Sequence, residues 1–147
     1  MCVNDEWTKG AGRMGKALVL ILCGGALYMG LELLYRSRSH WSMGVLGGSC
    51  FYLIGLLDEV WPGAPLSVQM ALGAWGIVCA EFLTGLLVNR ALRLGVWDYS
   101  GQKHNLLGQV CLPFAAAWAG ISGAAVILDD LLRLALFGEA FSLPRLF

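Results

Sequence analysis

Charge is scarce in this chain. Ten Lys and Arg and ten Asp and Glu amount to 14% of its 147 residues and cancel, where an ordinary soluble domain has about a quarter. That deficit excludes a solvated globular domain of the usual kind. The lack of a basic stripe excludes the electrostatic footprint of a nucleic-acid binder. The five cysteines, at 2, 23, 50, 79 and 111, include no Cys-x-x-Cys pair, and His40 and His104 stand apart. No metal-ligand spacing results, no cofactor is implied, and the cysteines read as small buried hydrophobes. There is no GxxxxGK[ST] run, so the chain cannot cradle ATP in the P-loop manner. No small-residue cleavage site follows the basic lead-in of Lys9, Arg13 and Lys16. The apolar stretch behind it, Ala17 to Tyr35, is longer than a signal-peptide core and reads as an uncleaved span. Leu22 before Cys23 excludes a lipoprotein cleavage site.

What the chain has is apolar sequence, 58% of it. Four runs approach the ~20 residues a helix needs to cross hydrocarbon: about 17–35, 42–57, 66–89 and 105–128. Only helices and closed barrels satisfy the backbone there, and continuous apolar runs mean helices. The expected fold is therefore an all-α integral membrane four-helix bundle, a polar tail over 1–16 preceding a transmembrane domain over 17–147. Pro62-Gly63-Ala64-Pro65 predicts a tight turn between spans two and three. Pro113 predicts a kink early in span four. LLRLALFG after Asp129-Asp130 reads either as an extension of span four or as a short C-terminal amphipathic helix along the interface, the two acids capping the last helix. Gly44 and Gly48 form a GxxxG step, and Ala116–Gly120 and Ala119–Gly123 repeat the small-residue spacing that lets helices approach closely. Lys and Arg divide five against five between the two sides, so the positive-inside rule assigns no orientation.

Polar residues are costly in hydrocarbon and need a partner or a purpose. Glu81 lies eight residues before Asn89, so it sits ~12 Å below the end of its span. A carboxyl at that depth must be protonated, paired or in water. Glu81, Thr84, Gly85 and Asn89 share a helix face, and so do Asn105, Gln109 and Pro113. Glu32 lies near the end of span one, one turn before Arg36. His40 follows in the first loop, and Trp97, Asp98 and Tyr99 in the third. The expectation is one polar pocket in one leaflet, built from Glu32, Arg36, His40, Glu81, Asn89, Trp97, Asp98, Tyr99, Asn105 and Gln109, with the other half of the bundle aliphatic. Trp97 and Tyr99 have a second reading as belt aromatics at the membrane surface.

Several stretches resemble one family: ELLYRSRSHWSMGVLGGSCFYLIGLLDE, QMALGAWGIVCAEFLTGLLVN, VWDYS followed by NLLGQVCLPF, and LDDLLRLALFGE. They are similar to the ABC-transporter type IV, or CmpB-like, membrane proteins over about residues 26–139. The resemblance implies a small helical membrane protein of permease type. By similarity Glu32, His40, Trp41, Glu81, Asn89, Trp97, Asp98, Tyr99, Asn105, Gly108, Gln109 and Pro113 fall on motif positions. Lys103-His104 stand where a Pro-aromatic pair is expected.

Three functions follow as expectations. The first is a transporter or permease-like component of a multi-pass cell membrane protein, in a bacterial plasma membrane, with Glu81 and Glu32 binding a cation and Asn89, Asn105 and Gln109 as neutral ligands. Four spans are few for a permease and no ATP site exists, so this reading calls for a homo-oligomer and a separate ATPase subunit, with the lipid bilayer as the other partner and no nucleic acid. The second is a structural or regulatory membrane subunit of a larger complex, its polar groups serving as packing glue. The third, an enzyme acting on lipid-linked substrates, is the weakest, since no nucleophile–base pair and no metal site stand in the sequence.

Overall fold

The computed structural model describes residues 3–61, 63–141 and 145, with side chains from Gly12 onward, that of Asp58 excepted. Among the described residues the fold is all-α, with one minimal hairpin. Helix α1 spans Val3–Arg36, α2 Trp41–Val60, α3 Leu66–Gly85 and α4 Leu112–Phe137. Helix α3 runs on through a π-helical segment, Leu86–Ala91, and the strands β1 (Asn105–Leu106) and β2 (Val110–Cys111) precede α4. Two stretches, Gly12–Arg36 and Leu66–Ala91, are long and apolar enough to cross a membrane, and Trp41–Leu57 is a shorter apolar helix. Helix α1 starts at Val3, so the polar residues expected as a tail are helical from there on. The chain divides into two compact units, the first ending at Tyr52 and the second starting at Leu53.

In the first unit, α1 and the opening turns of α2 pack glycine against glycine. A Cβ on Gly25 would stand 2.5 Å from the carbonyl oxygen of Gly44, and one on Gly48 would run into the carbonyl of Ile21. The GxxxG step Gly44–Gly48 thus lets two backbones touch, as small-residue spacing permits.

In the second unit, α3 and α4 run antiparallel along a narrow seam. The buried residues of α3 recur every fourth position, Gln69, Gly73, Ile77, Glu81 and Gly85, one face of a helix. On α4, Trp118, Ser122 and Gly123 meet α3 at Glu81, Gly73 and Met70, while the buried Asp129 and Arg133 meet Gly55 and Glu59 of α2. Trp61 and Ala64 close the turn before α3 with a 3.1 Å backbone bond, Gly63 taking φ +82°; Pro62 of the expected turn lies outside the described residues.

Three expectations are corrected here. Span four does not begin as helix at Asn105: residues 105–111 form the hairpin, and the helix starts at Leu112. Leu107 (φ +54°) and Gly108 (φ +71°) are the central pair of a turn closed by Gln109 N–H on the Leu106 carbonyl at 3.0 Å; two successive positive φ values suit a hairpin and not a helix. Pro113 consequently lies in the first turn of α4 and opens the helix instead of kinking it, where its missing N–H removes nothing. Finally, LLRLALF is no separate amphipathic helix. It is the last two turns of α4, which ends at Gly138 in the left-handed conformation (φ +68°), its N–H bonded to the Leu134 carbonyl.

Candidate functional site

Glu81 lies on the buried face of α3, 2% exposed. Its two carboxylate oxygens receive different donors. The Tyr99 hydroxyl donates to Oε1 at 2.9 Å, and the Trp118 indole N–H donates to Oε2 at 3.0 Å. Phe114 lies between those two aromatics: it stacks on Tyr99 with ring centroids 4.8 Å apart and meets Trp118 at 6.5 Å. Neutral donors aimed at both oxygens fix the carboxyl's position, and the rings around it exclude water.

One and two turns further along α3 stand Gly85 and Asn89. The π-helical segment carries Asn89, and its i→i+5 bonding continues into Leu92 N–H on the Leu87 carbonyl at 2.9 Å; such wide turns re-aim side chains relative to the helix before them. The Asn89 amide N–H donates to Gln109 Oε1 at 3.0 Å, while its oxygen accepts from Val96 N–H at 2.7 Å. Gln109 gives its own amide N–H to the Leu107 carbonyl, 3.0 Å, and its backbone carbonyl accepts from the Trp97 indole at 2.9 Å. Gly85 makes this possible: a Cβ there would collide with Gln109 Oε1 and come within 3.0 Å of the Trp97 ring. Trp97 is 3% exposed, so it is no belt aromatic, because its N–H is spent inside the fold. Tyr99, half-buried, spends its hydroxyl on Glu81.

Asp98 and Asn105 serve the loop instead. Asp98 accepts from the backbone N–H and the hydroxyl of Ser100, at 2.8 and 3.0 Å, an Asx-type turn. Asn105 donates to the carbonyls of Ser100 and Gln102 and accepts from Gly108 N–H at 3.0 Å. Each side chain holds a loop reversal in place, and neither bonds Glu81 or Asn89 in the contacts described above.

The remaining candidates, Glu32, Arg36 and His40, belong to the first unit. Arg36 pairs with Glu32 one turn away, and Ser39 donates to the second Glu32 oxygen at 2.6 Å. His40 Nδ1 accepts from the Ser42 N–H at 3.3 Å and lies 2.8 Å from its hydroxyl, at the start of α2. This is a self-contained ion pair with a helix-start contact. The ten candidates therefore fall into two groups, one in each unit.

Trp118 was missed in the sequence, and so was a second polar cluster. Trp118 stands nine residues past Gln109; the available signal was an indole N–H that must find an acceptor when buried. Asp129 and Asp130 are not caps at a helix start, since α4 runs through them to Phe137. Asp129 is 1% exposed and accepts from Arg133 Nε; Arg133 also pairs with Glu59 and Glu139. With Gln69 and Ser122 also buried, this end of the α3–α4 seam is not the aliphatic half that was expected.

The family model described as Putative ABC-transporter type IV matches residues 29–135, a stretch that takes in the Glu81 group, the loop and both sides of the α3–α4 seam. No curated protein and no solved structure matches the chain.

Proposed function

Given that the chain belongs to the Putative ABC-transporter type IV family, shown by the match over most of its length, we propose that it is a multi-pass membrane protein and a permease-like component of a transporter. Its solute-binding group is the carboxylate of Glu81 with Tyr99, Trp118 and the Asn89–Gln109 amides beside it. The observation that carries the reading is Glu81 itself: a carboxylate 2% exposed within Leu66–Ala91, a helix apolar and long enough to cross a bilayer. An ionisable residue so placed is expensive, and where it persists it marks a solute or ion path.

The outward surface supports the membrane reading. On the membrane-length stretch Leu66–Ala91 alone, Trp75, Leu83 and Leu87 are each more than half exposed, and large apolar side chains left open along one helix suit a lipid-facing surface. In this reading helices α1 to α4 are the four spans of a multi-pass protein, in a bacterial plasma membrane. Lacking a P-loop, the chain draws any ATP-driven work from a separate ATPase subunit, and four spans complete a path by homo-oligomerisation.

The test uses the indoles as reporters. Trp118 donates directly to Glu81, so a cation bound at the carboxylate changes tryptophan emission. Purified protein in bilayer nanodiscs is titrated with sodium, rubidium and tetraphenylphosphonium. The expected result is a saturable change with one of them, lost in Glu81→Gln and reduced in Trp118→Phe. A protein that stays in the bilayer on alkaline extraction yet gives no saturable change with any of the three argues for the second reading, a structural or regulatory membrane subunit. One observation favours that second reading: both polar ends of the Asn89 amide are already spent on Val96 and Gln109.

A further inference from the structure

The loop that carries Tyr99 to Glu81 has an outer surface that the solute site leaves unused. Three cations stand on it, Arg90, Arg93 and Lys103, all exposed. Among the described residues none of the three pairs with a carboxylate; the arginines that do are Arg36 and Arg133. The one acid between Arg90 and Cys111 is Asp98, and Ser100 engages both of its oxygens. The loop therefore presents positive charge that nothing beside it balances.

Large apolar side chains accompany the cations. Leu92, Leu106 and Leu107 are each more than half exposed. Leu107 is the least expected of them, because its backbone is left-handed (φ +54°). Glycine or asparagine takes that conformation readily, and a leucine does not. Little of its side chain is covered by the fold, so the protein itself gives no return for the backbone cost. A leucine at such a turn makes sense where something outside the chain covers it.

The depth of the turn says what that is. Gln109, two residues after Leu107, sits against Gly85, where a Cβ would stand 2.4 Å from its Oε1. The same Gln109 amide donates to the Leu107 carbonyl at 3.0 Å. Gly85 lies six residues before Ala91, the end of the membrane-length stretch, so ~9 Å inside it. The hairpin turn is thus drawn in beside the last turns of that stretch. An exposed leucine there meets the acyl boundary of a bilayer, and Arg90 and Arg93, at and just past the end of the stretch, meet the headgroups.

We infer that residues 90–107 form a docking surface for anionic phospholipid, with Leu106 and Leu107 in the acyl boundary and Arg90, Arg93 and Lys103 on the lipid phosphates. This rests on the reading of the chain as membrane-spanning. Apolar side chains flanked by Lys and Arg are the pattern of an interfacial anchor. Guanidinium and ammonium groups both give a phosphate charge-assisted hydrogen bonds. Headgroup charge sets the preference, since each Lys or Arg near an anionic surface strengthens binding about fivefold. A soluble acidic partner would meet the cations and leave the leucines, at membrane depth, uncovered.

The test compares lipids on the full chain purified in detergent. Bound lipid is counted by native mass spectrometry as phosphatidylglycerol or phosphatidylcholine with the same acyl chains is added, and inorganic phosphate serves as the anion without a tail. The parent should favour phosphatidylglycerol about tenfold or more over phosphatidylcholine and should not hold inorganic phosphate. Arg90→Gln/Arg93→Gln/Lys103→Gln should bring the two lipids within about twofold of each other. Leu107→Asn is the second arm. Asparagine suits the left-handed backbone, so this variant should melt no lower than the parent, yet bind both lipids severalfold more weakly. Three results overturn the lipid surface and leave the transporter reading standing: no preference in the parent, inorganic phosphate bound as tightly as phosphatidylglycerol, or either variant binding lipid as the parent does. A parent that alkaline extraction releases from the membrane overturns both.

Discussion

At the scale of single residues, Glu81 and its two donors decide most. Both donors are neutral and both are aromatic, so each can be removed with little change of shape. Tyr99→Phe and Trp118→Phe each delete one bond to a carboxylate, and bonds to charged groups contribute about 1.5–3 kcal/mol. Denaturant unfolding in detergent should show losses of that order, and the double variant should depart from their sum because the two share an acceptor. Additive losses would mean that the donors do not act on one group. Gln109 gives a second test. Leucine there leaves the Asn89 amide unpaired beside Gly85, and should cost about 1–3 kcal/mol. On a lipid-facing surface the same change would be neutral or stabilising. Glu81, Asn89, Trp97, Tyr99 and Gln109 could be picked from the sequence because polar atoms in an apolar run stand out. Trp118 could not, since an indole in an apolar run looks like core until its N–H is seen to point at a carboxylate.

At the scale of elements, the hairpin and the far end of α4 taught more than the helices did. The helices over Trp41–Val60 and Leu66–Ala91 were legible because long apolar runs admit few other backbones, whereas α1 begins well before its apolar run and α4 starts and ends later than expected. The hairpin was not, because the Leu, Val and Cys of NLLGQVC run straight into the apolar helix that follows, and the left-handed Leu107–Gly108 pair that separates them leaves no mark in the hydrophobic pattern. Gly108 is the position to probe. Alanine there takes on a left-handed backbone, about 1–2 kcal/mol, and its Cβ would stand 2.8 Å from Asp98 Oδ1. The expected outcome is a local loosening: faster amide exchange over residues 96–111, with the helices unchanged. Asp129 illustrates a different blind spot. Its pairing with Arg133 is an ordinary i,i+4 spacing, but its burial depends on Gly55, 74 residues away from it in sequence.

 Arg133→Gln should strand that carboxylate and cost about 3–5 kcal/mol in thermal or denaturant unfolding, while Asp129→Asn/Arg133→Gln together should cost less. Equal costs would place the pair in solvent.

At the scale of the whole molecule, the family and the all-α fold stand on the match over residues 29–135 and on the helices themselves, and the membrane reading stands on apolar length and on the exposed leucines. The four crossings proposed above would return residue 145 to the side of residue 5, so single cysteines placed at Asp5 and Arg145 in a cysteine-free background should react with an impermeant maleimide from the same face. Reaction of the two from opposite faces rules out an even number of spans; reaction of both from both faces indicates dual insertion, which the tie in Lys and Arg permits. The measurement that bears most directly on the central claim is cation uptake into liposomes holding the parent chain or its Glu81→Gln variant, matched for inserted protein. The account predicts uptake of sodium, rubidium or tetraphenylphosphonium by the parent and loss of at least nine-tenths of it in the variant. Equal uptake by the two, or none above protein-free vesicles from an inserted parent, would contradict it.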